Sequence, residues 1–274
     1  VRRAGDLRDV RPTLPRLGLQ HRKASENKIH DDATAQRFGF KGGFVGGVNV
    51  YAYMTHLPVQ RWGRSWLERG TGEARFGNPV YENDIAEVSA VEDPDGMAIA
   101  VHSQGVLCAT GRAALPGDLP PAPALDDFKA VTPRADRAAA DEISLKVGDW
   151  LGMMPLPITE AFHAQDLADI RETDPIYVRE KIVHTGTILR CCNWALTHNV
   201  ILPAWIHMGS RVRNLGLAHV GDTLNVRARI TKNYEHKGHK WVELDAMVVA
   251  NETTPVILST HIAIYRPRQV AAAA

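Results

Sequence analysis

At 274 residues with 45% hydrophobic side chains, the chain is long enough for one large domain or two ordinary ones around a real core, which excludes disorder as its default state. Its 32 basic and 31 acidic residues alternate in short runs and sum to +1, so it has none of the basic field that nucleic acid or an anionic membrane requires; a small molecule or a protein partner fits better. Three cysteines (Cys108, Cys191 and Cys192) make a poor disulfide framework, and no apolar run is long enough to span a bilayer, so a soluble protein of a reducing cytoplasm is expected.

The opening VRRAGDLRDVRP has no signal-peptide apolar run. Residues 25 to 47, SENKIHDDATAQRFGFKGGFVGG, form a polar, turn-rich segment in which Asp31 or Asp32 is placed to cap a short helix over DDATAQRF. The pairs Gly42–Gly43 and Gly46–Gly47 mark the entry to a longer helix, GGVNVYAYMTHLPVQRWG, apolar around most of its wheel and therefore expected inside a sheet. Pro58 should bend or shorten it near its end. After a Trp and Gly turn, DIAEVSAVED alternates in the manner of a half-solvated strand, and GMAIAVHSQGVLCATGRAA supplies two more. Residues 116 to 140 shift to Pro, Ala and charge, which reads as a linker and divides the chain into units of 1–117 and 141–270 joined by 118–140.

The second unit repeats the order. RETDPIY reads as a turn with a favourably placed proline. KIVHTG, with His184 as a cap or a ligand contact, leads into the apolar helix GTILRCCNWALTHNVI, and then come the strands DTLNVRARIT, GHKWVELDAMVVA and VILSTHIAIYRP. YEHKGHKW between them reads as a hairpin turn on Gly238; His236 and His239 have no third ligand at metal spacing, and no metal site is expected. Four of the six tryptophans, Trp62, Trp66, Trp194 and Trp205, sit at helix ends and turns as packing residues. The terminal VAAAA reads as a frayed tail or an appended scar, and it lies outside the residues the structure describes. Trp66 and Gly70 recur as Trp205 and Gly209 at 139 residues, and Arg75 and Asp84 recur as Arg213 and Asp222 at 138. An internal duplication explains this most simply, each copy a long apolar helix across a curled antiparallel sheet, in the α+β class. Curled sheets leave open edges, so edge-to-edge pairing within or between chains is expected.

This pattern, with Asn27, Ile29 and His30 followed by the glycines of residues 39 to 47, resembles the MaoC-like hot-dog proteins, which include (R)-specific enoyl-CoA hydratases and dehydratases. Their motif runs G-D-x-N-P-(Leu, Ile or Val)-H. Ser25 stands at its acid position and Lys28 at its proline; in the second half Glu172, Pro175 and Tyr177 stand at the acid, proline and histidine positions. The resemblance covers nearly the whole chain as a double hot-dog. It implies hydration of an enoyl thioester or dehydration of a 3-hydroxyacyl thioester, with His30 and Ser25 as catalytic residues. It also implies Asn27, Gly42, Gly43, Gly46, Gly47, Glu172, Tyr177 and His184 as substrate contacts, and helix N–H groups to hold the charge on the thioester oxygen. A coenzyme A thioester is the implied substrate, with no resident cofactor, and a homo-oligomer of double hot-dogs the implied assembly. Arg211, Arg213, Lys232 and Lys237 are candidate phosphate contacts or ordinary solvent-facing charges. If Ser25 occupies the acid position, His30 must act alone or borrow an acid from Glu26, Asp31, Asp32 or a facing segment. Two further readings compete: a thioester-binding protein without turnover, and a thioesterase, for which neither apolar helix carries an Asp or Glu.

Overall fold

A computed structural model of the chain describes residues 14–17 and 27–268. The first half comprises β1 (Leu14–Leu17), a 3-10 turn at Lys28–His30, α1 (Asp32–Arg37), α2 (Gly47–Trp62), α3 (Arg64–Arg69), β2 (Thr71–Phe76), β3 (Ile85–Asp93), β4 (Gly96–Ser103) and β5 (Val106–Ala114). After a 3-10 turn at Leu125–Asp127 come β6 (Ala138–Ala139), β7 (Trp150–Leu151), β8 (Leu156–Pro157), α4 (Glu160–Asp169), α5 (Pro175–Arg179), α6 (Thr185–Thr197), β9 (Val200–Ile201), β10 (Ile206–Asn214), β11 (Thr223–His236), β12 (His239–Ala250) and β13 (Thr254–Arg266). The α+β class agrees with expectation.

Where the sequence suggested two sheets, eleven of the thirteen strands among the described residues form one antiparallel sheet, ordered β1-β3-β4-β5-β2-β10-β13-β12-β11-β7 with β8 also on β11, and β6 and β9 make a separate parallel pair. The edge-to-edge pairing expected for open sheets takes place inside the chain, between β2 and β10. Its register carries the mark of the duplication: Gly209 faces Arg75 and Arg213 faces Thr71, with Arg211 opposite Glu73. Adding 138 to any β2 residue gives a β10 residue, and under that shift the ladder maps onto itself, as an isologous contact does. The same shift relates the bridge Phe44–Tyr81 to Ile182–His219. It also relates the bond from Val45 N to Val80 O to the one from Val183 N to Ala218 O.

Helices α2 and α6 are buried over most of their length and pack on each other as well as on the sheet. Small residues set their approach: a Cβ on Gly186 would lie 2.6 Å from the Ala52 Cβ, and Thr185 Oγ1 donates to Thr55 Oγ1 at 3.0 Å. Pro58 does not end α2, which runs on to Trp62 and stops at Gly63, whose φ is +56°. Gly70 makes room for the Trp66 ring, 2.2 Å from where its Cβ would be. The hairpin at Lys237–Gly238 has both φ angles positive, 52° and 76°, the primed turn that matches strand twist. The segment between β5 and β6 lies against the second half: Arg227 donates to the carbonyls of Leu125 and Phe128, and Phe128 meets Trp150 edge-on. No helix among the described residues is long and apolar enough to cross a membrane.

Candidate active site at the bare end of helix α2

The motif loop of the first half is held by the second. Lys28 N donates to Pro203 O at 2.9 Å. Asn27 clamps Trp205, donating from Nδ2 to its carbonyl at 3.0 Å and accepting its N–H at Oδ1 at 3.2 Å, while Oδ1 also accepts from Ile29 N. Beneath the loop, Ile29, Phe44 and Ala204 form a small core of their own.

His30 Nδ1 lies 2.7 Å from the Phe44 carbonyl, which can only accept, so Nδ1 carries the hydrogen and Nε2 is left with its lone pair. That Nε2 accepts a hydrogen bond from Asn27 Nδ2 at 3.3 Å. Burial lowers the pKa of the ring below its ordinary 6.5 despite the Phe44 bond, so the imidazole is neutral at pH 7. Among the described residues no carboxylate bonds to it. The two neighbouring acids are engaged with backbone: Asp31 caps α1 through Thr34 N, and Asp32 accepts from Gly43 N at 2.7 Å. Ser25 and Glu26 lie outside the described residues.

His30 borders a cavity of about 480 Å³ that also takes in Asn27, Gly46, Gly47, the half-buried face of α6 and the start of β10. At its floor α2 begins. Gly46 is the N-cap residue and offers no side chain, so the N–H groups of Gly47 and Val48 have no partner within the helix and turn their partial positive charge to the cavity. Across it, Arg190, Asn193, Trp194, Thr197 and His198 repeat at helical spacing along α6. Arg190 donates to Asp166 and to Asn49 Oδ1. Three buried polar atoms of lining residues have no partner among the described residues: Asn193 Oδ1, Trp205 Nε1 and His207 Nδ1.

Of the residues singled out from sequence, His30, Asn27, Gly46 and Gly47 are thus brought together. Gly42 and Gly43 are not among the lining residues; a Cβ on Gly43 would stand 2.0 Å from His30 O, so this glycine lets the loop close on the motif backbone. Glu172, Tyr177 and His184 are not there either. They form a closed cluster with His56 at the start of α6, on the equivalent of the α2 terminus 138 residues on. His184 is the N-cap, its Nδ1 accepting from Gly186 N at 3.0 Å, which places its hydrogen on Nε2 toward Glu172 Oε2 at 3.2 Å. Glu172 Oε1 accepts from His56 Nδ1 at 2.5 Å and from the backbone N–H groups of Thr173 and Asp174. Burial pushes this carboxyl upward, but the hydrogen bonds from His184 and His56 outweigh it and hold the group well below the usual range. Tyr177 packs on His184 with the rings tilted, centroids 4.6 Å apart, and is fully buried. Arg211 and Arg213 line a separate depression with Arg112 and Phe128, away from His30. The sequence reading missed the α6 face and His207. The first carried a signal, a polar stripe at spacings of three and four in a helix read as apolar; the second had none, a lone histidine in a strand of the other half.

Neither a protein-family model nor a curated protein matches the sequence. Solved structures do match the fold. A protein named as a MaoC-domain dehydratase from Chloroflexus aurantiacus J-10-fl superimposes with a TM-score of 0.62 at 14% identity, covering 95% of each chain. A Mycobacterium tuberculosis protein described as having a double hot-dog fold gives 0.62 at 14% identity over 93% of this chain and 95% of its own. A MaoC-like dehydratase gives 0.59 at 10% identity over 92% and 97%. Over more than nine-tenths of its length, therefore, this chain has the double hot-dog fold found in MaoC-like dehydratases.

Proposed function

We propose that the chain is a hydratase or dehydratase of acyl thioesters, working at the His30 cavity with a coenzyme A thioester as substrate. One observation carries this reading: of two helix termini related by the duplication, α6 is capped by the His184 side chain, whereas α2 has no side-chain cap at Gly46 and its first turn lines a cavity beside a neutral imidazole. The bare N–H groups suit a thioester carbonyl, which gains negative charge when water adds to the neighbouring double bond. His30 Nε2 takes a proton from water as the oxygen bonds to the β carbon; the displaced π electrons move toward the thioester, and His30 returns its proton to the α carbon. One imidazole closes the proton balance, so a carboxylate at the Ser25 position is dispensable for it. Neither α2 nor α6 contains an Asp or Glu, which leaves a helix-borne thioesterase carboxylate without a residue.

A second reading, thioester binding without turnover, is favoured by the lack of any carboxylate on His30 among the described residues. Incubation with a panel of enoyl-CoA and 3-hydroxyacyl-CoA thioesters, followed by double-bond absorbance beside a His30→Ala variant, separates the two. Turnover lost in the variant supports the hydratase. Binding without turnover supports the second reading, and turnover untouched by the substitution removes His30 from the mechanism.

A further inference from the structure

We infer that the acyl group taken at the His30 cavity is short and carries an uncharged oxygen function, such as a hydroxyl, beyond the reacting double bond; the inference rests on the hydratase reading and names its substrate class. The duplication supplies the comparison. Helices α2 and α6 begin at residues 47 and 185, again 138 apart, so Arg190, Asn193, Trp194 and Thr197 of α6 stand where Ala52, Thr55, His56 and Val59 stand on α2. The four α2 residues are buried, whereas the four α6 residues are half-buried and line the cavity. Where neither helix meets the cavity the paired positions stay apolar and buried in both copies, Val50 with Ile188, Met54 with Cys192, Leu57 with Ala195. The change from small or apolar to polar therefore falls on the face that a ligand would touch.

This wall is rich in donors. Arg190 gives one N–H to Asp166 Oδ1 at 3.2 Å and one to Asn49 Oδ1 at 3.1 Å. Its Nε–H, the Asn193 amide nitrogen and the Thr197 hydroxyl have no partner among the described residues, and all three are open to solvent. Arg190 also stands close to the reacting carbons: Asn49, which it holds, lies in the first turn of α2, two residues after Gly47, whose N–H suits the thioester oxygen. The coenzyme arm has to leave for solvent, so the wall around Arg190 faces the acyl group. On an apolar wall each added methylene would tighten binding about fourfold. Here a fatty chain would cover the three donors without bonding them, which costs more than the methylenes gain. An oxygen on the acyl group accepts from them instead. A carboxylate is the poorer occupant, because Arg190 already faces the Asp166 carboxylate and Asp169 lines the cavity as well. A hydroxyl or carbonyl accepts without adding charge.

The test uses the full chain and four thioesters: crotonyl-CoA, 4-hydroxybut-2-enoyl-CoA, oct-2-enoyl-CoA and the coenzyme A monothioester of fumarate. The kcat/KM for the 4-hydroxy substrate is expected to exceed that for crotonyl-CoA about tenfold, the worth of one hydrogen bond, and that for oct-2-enoyl-CoA by more. The double variant Asn193→Thr/Thr197→Val gives α6 the residues that α2 carries, and the ratio of the 4-hydroxy substrate to crotonyl-CoA should fall to within about threefold of unity. Each ratio is read within one protein sample, so partial loss of folded variant cancels. A kcat/KM for oct-2-enoyl-CoA or for the fumarate thioester equal to or above that of the 4-hydroxy substrate overturns the inference and leaves the hydratase reading in place, as does a ratio unchanged in the double variant. A wild type inactive on every enoyl thioester of the wider panel overturns the hydratase reading and this inference with it.

Discussion

Replacing Glu172 by glutamine tests the logic of the closed site. Oε1 collects three donors, from His56, Thr173 and Asp174, so the amide oxygen of glutamine is best placed there and its NH2 takes the Oε2 position. There it faces the Nε2–H of His184, donor against donor. His184 cannot turn to relieve this, because its Nδ1 is committed to the first turn of α6 through Gly186 N. The substitution thus removes one charge-assisted hydrogen bond, about 1.5–3 kcal/mol, and strands a donor in a site where the Glu172 side chain is only 3% exposed, about 1–3 kcal/mol more. A loss of about 3–5 kcal/mol is expected, the range for breaking a buried pair. With a urea m-value of about 3 kcal/mol/M, the unfolding midpoint should fall by about 1 M or more at pH 7. A shift under about 0.3 M would refute the tautomer assigned to His184 and with it the plugged helix end.

The remaining expectations concern the open site and pH. His30→Ala should lower hydration of crotonyl-CoA by about 10²–10⁴-fold, the usual worth of a general base, while the urea midpoint stays nearly constant. Gly46→Ser should install on α2 the kind of cap that α6 has; Gly46 φ and ψ of −63° and 142° suit serine, so stability should rise by a few tenths of a kcal/mol while crotonyl-CoA turnover is lost. Gly186→Val should overpack the helix crossing against Ala52 and cost about 1–3 kcal/mol, read from thermal or urea unfolding. His30, His207 and His261 all have pKa values lowered by burial, His207 to about 3. The unfolded chain protonates these rings near 6.5 and the native one does not, so stability is full above that pH and is lost as pH falls. The slope is about 1.4 kcal/mol per pH unit for each of the two strongly shifted rings, His207 and His261, or about 3 for both, with His30 adding in the same direction, measurable as urea midpoints at pH 7 and pH 5.

Most of the architecture was legible because it depends on local signals that recur. Two all-apolar helices, the alternating strands after each, and offsets of 138 and 139 residues implied a duplicated α+β fold, and Gly238 gave the hairpin. The merger of the strands into one sheet was only partly legible: open edges implied pairing, but which edges meet depends on packing between halves. The two tryptophans matched by sequence also fall differently, Trp66 inside α3 and Trp205 just before β10, because the offset shifts by one residue there. At the candidate site, the motif marked His30 and Asn27, and the helix entry marked Gly46 and Gly47. The far wall could not be read the same way, since Asn193, Trp205 and His207 come from the other half and meet His30 only through tertiary packing. Glu172, Tyr177 and His184 were legible as candidate contacts; that Glu172 bonds His184 in a closed cluster depended on His56, a partner on α2 that no local pattern announces.

The self-matching ladder between β2 and β10 has a consequence for how the two sites diverged. In a dimer of identical chains, every substitution appears twice, so a histidine that seals one helix terminus seals both and abolishes the pair. Joined in a single chain, the copies carry independent positions 46 and 184. One terminus was therefore free to take a side-chain plug without imposing it on its twin, and the symmetry that survives in the backbone no longer constrains the side chains.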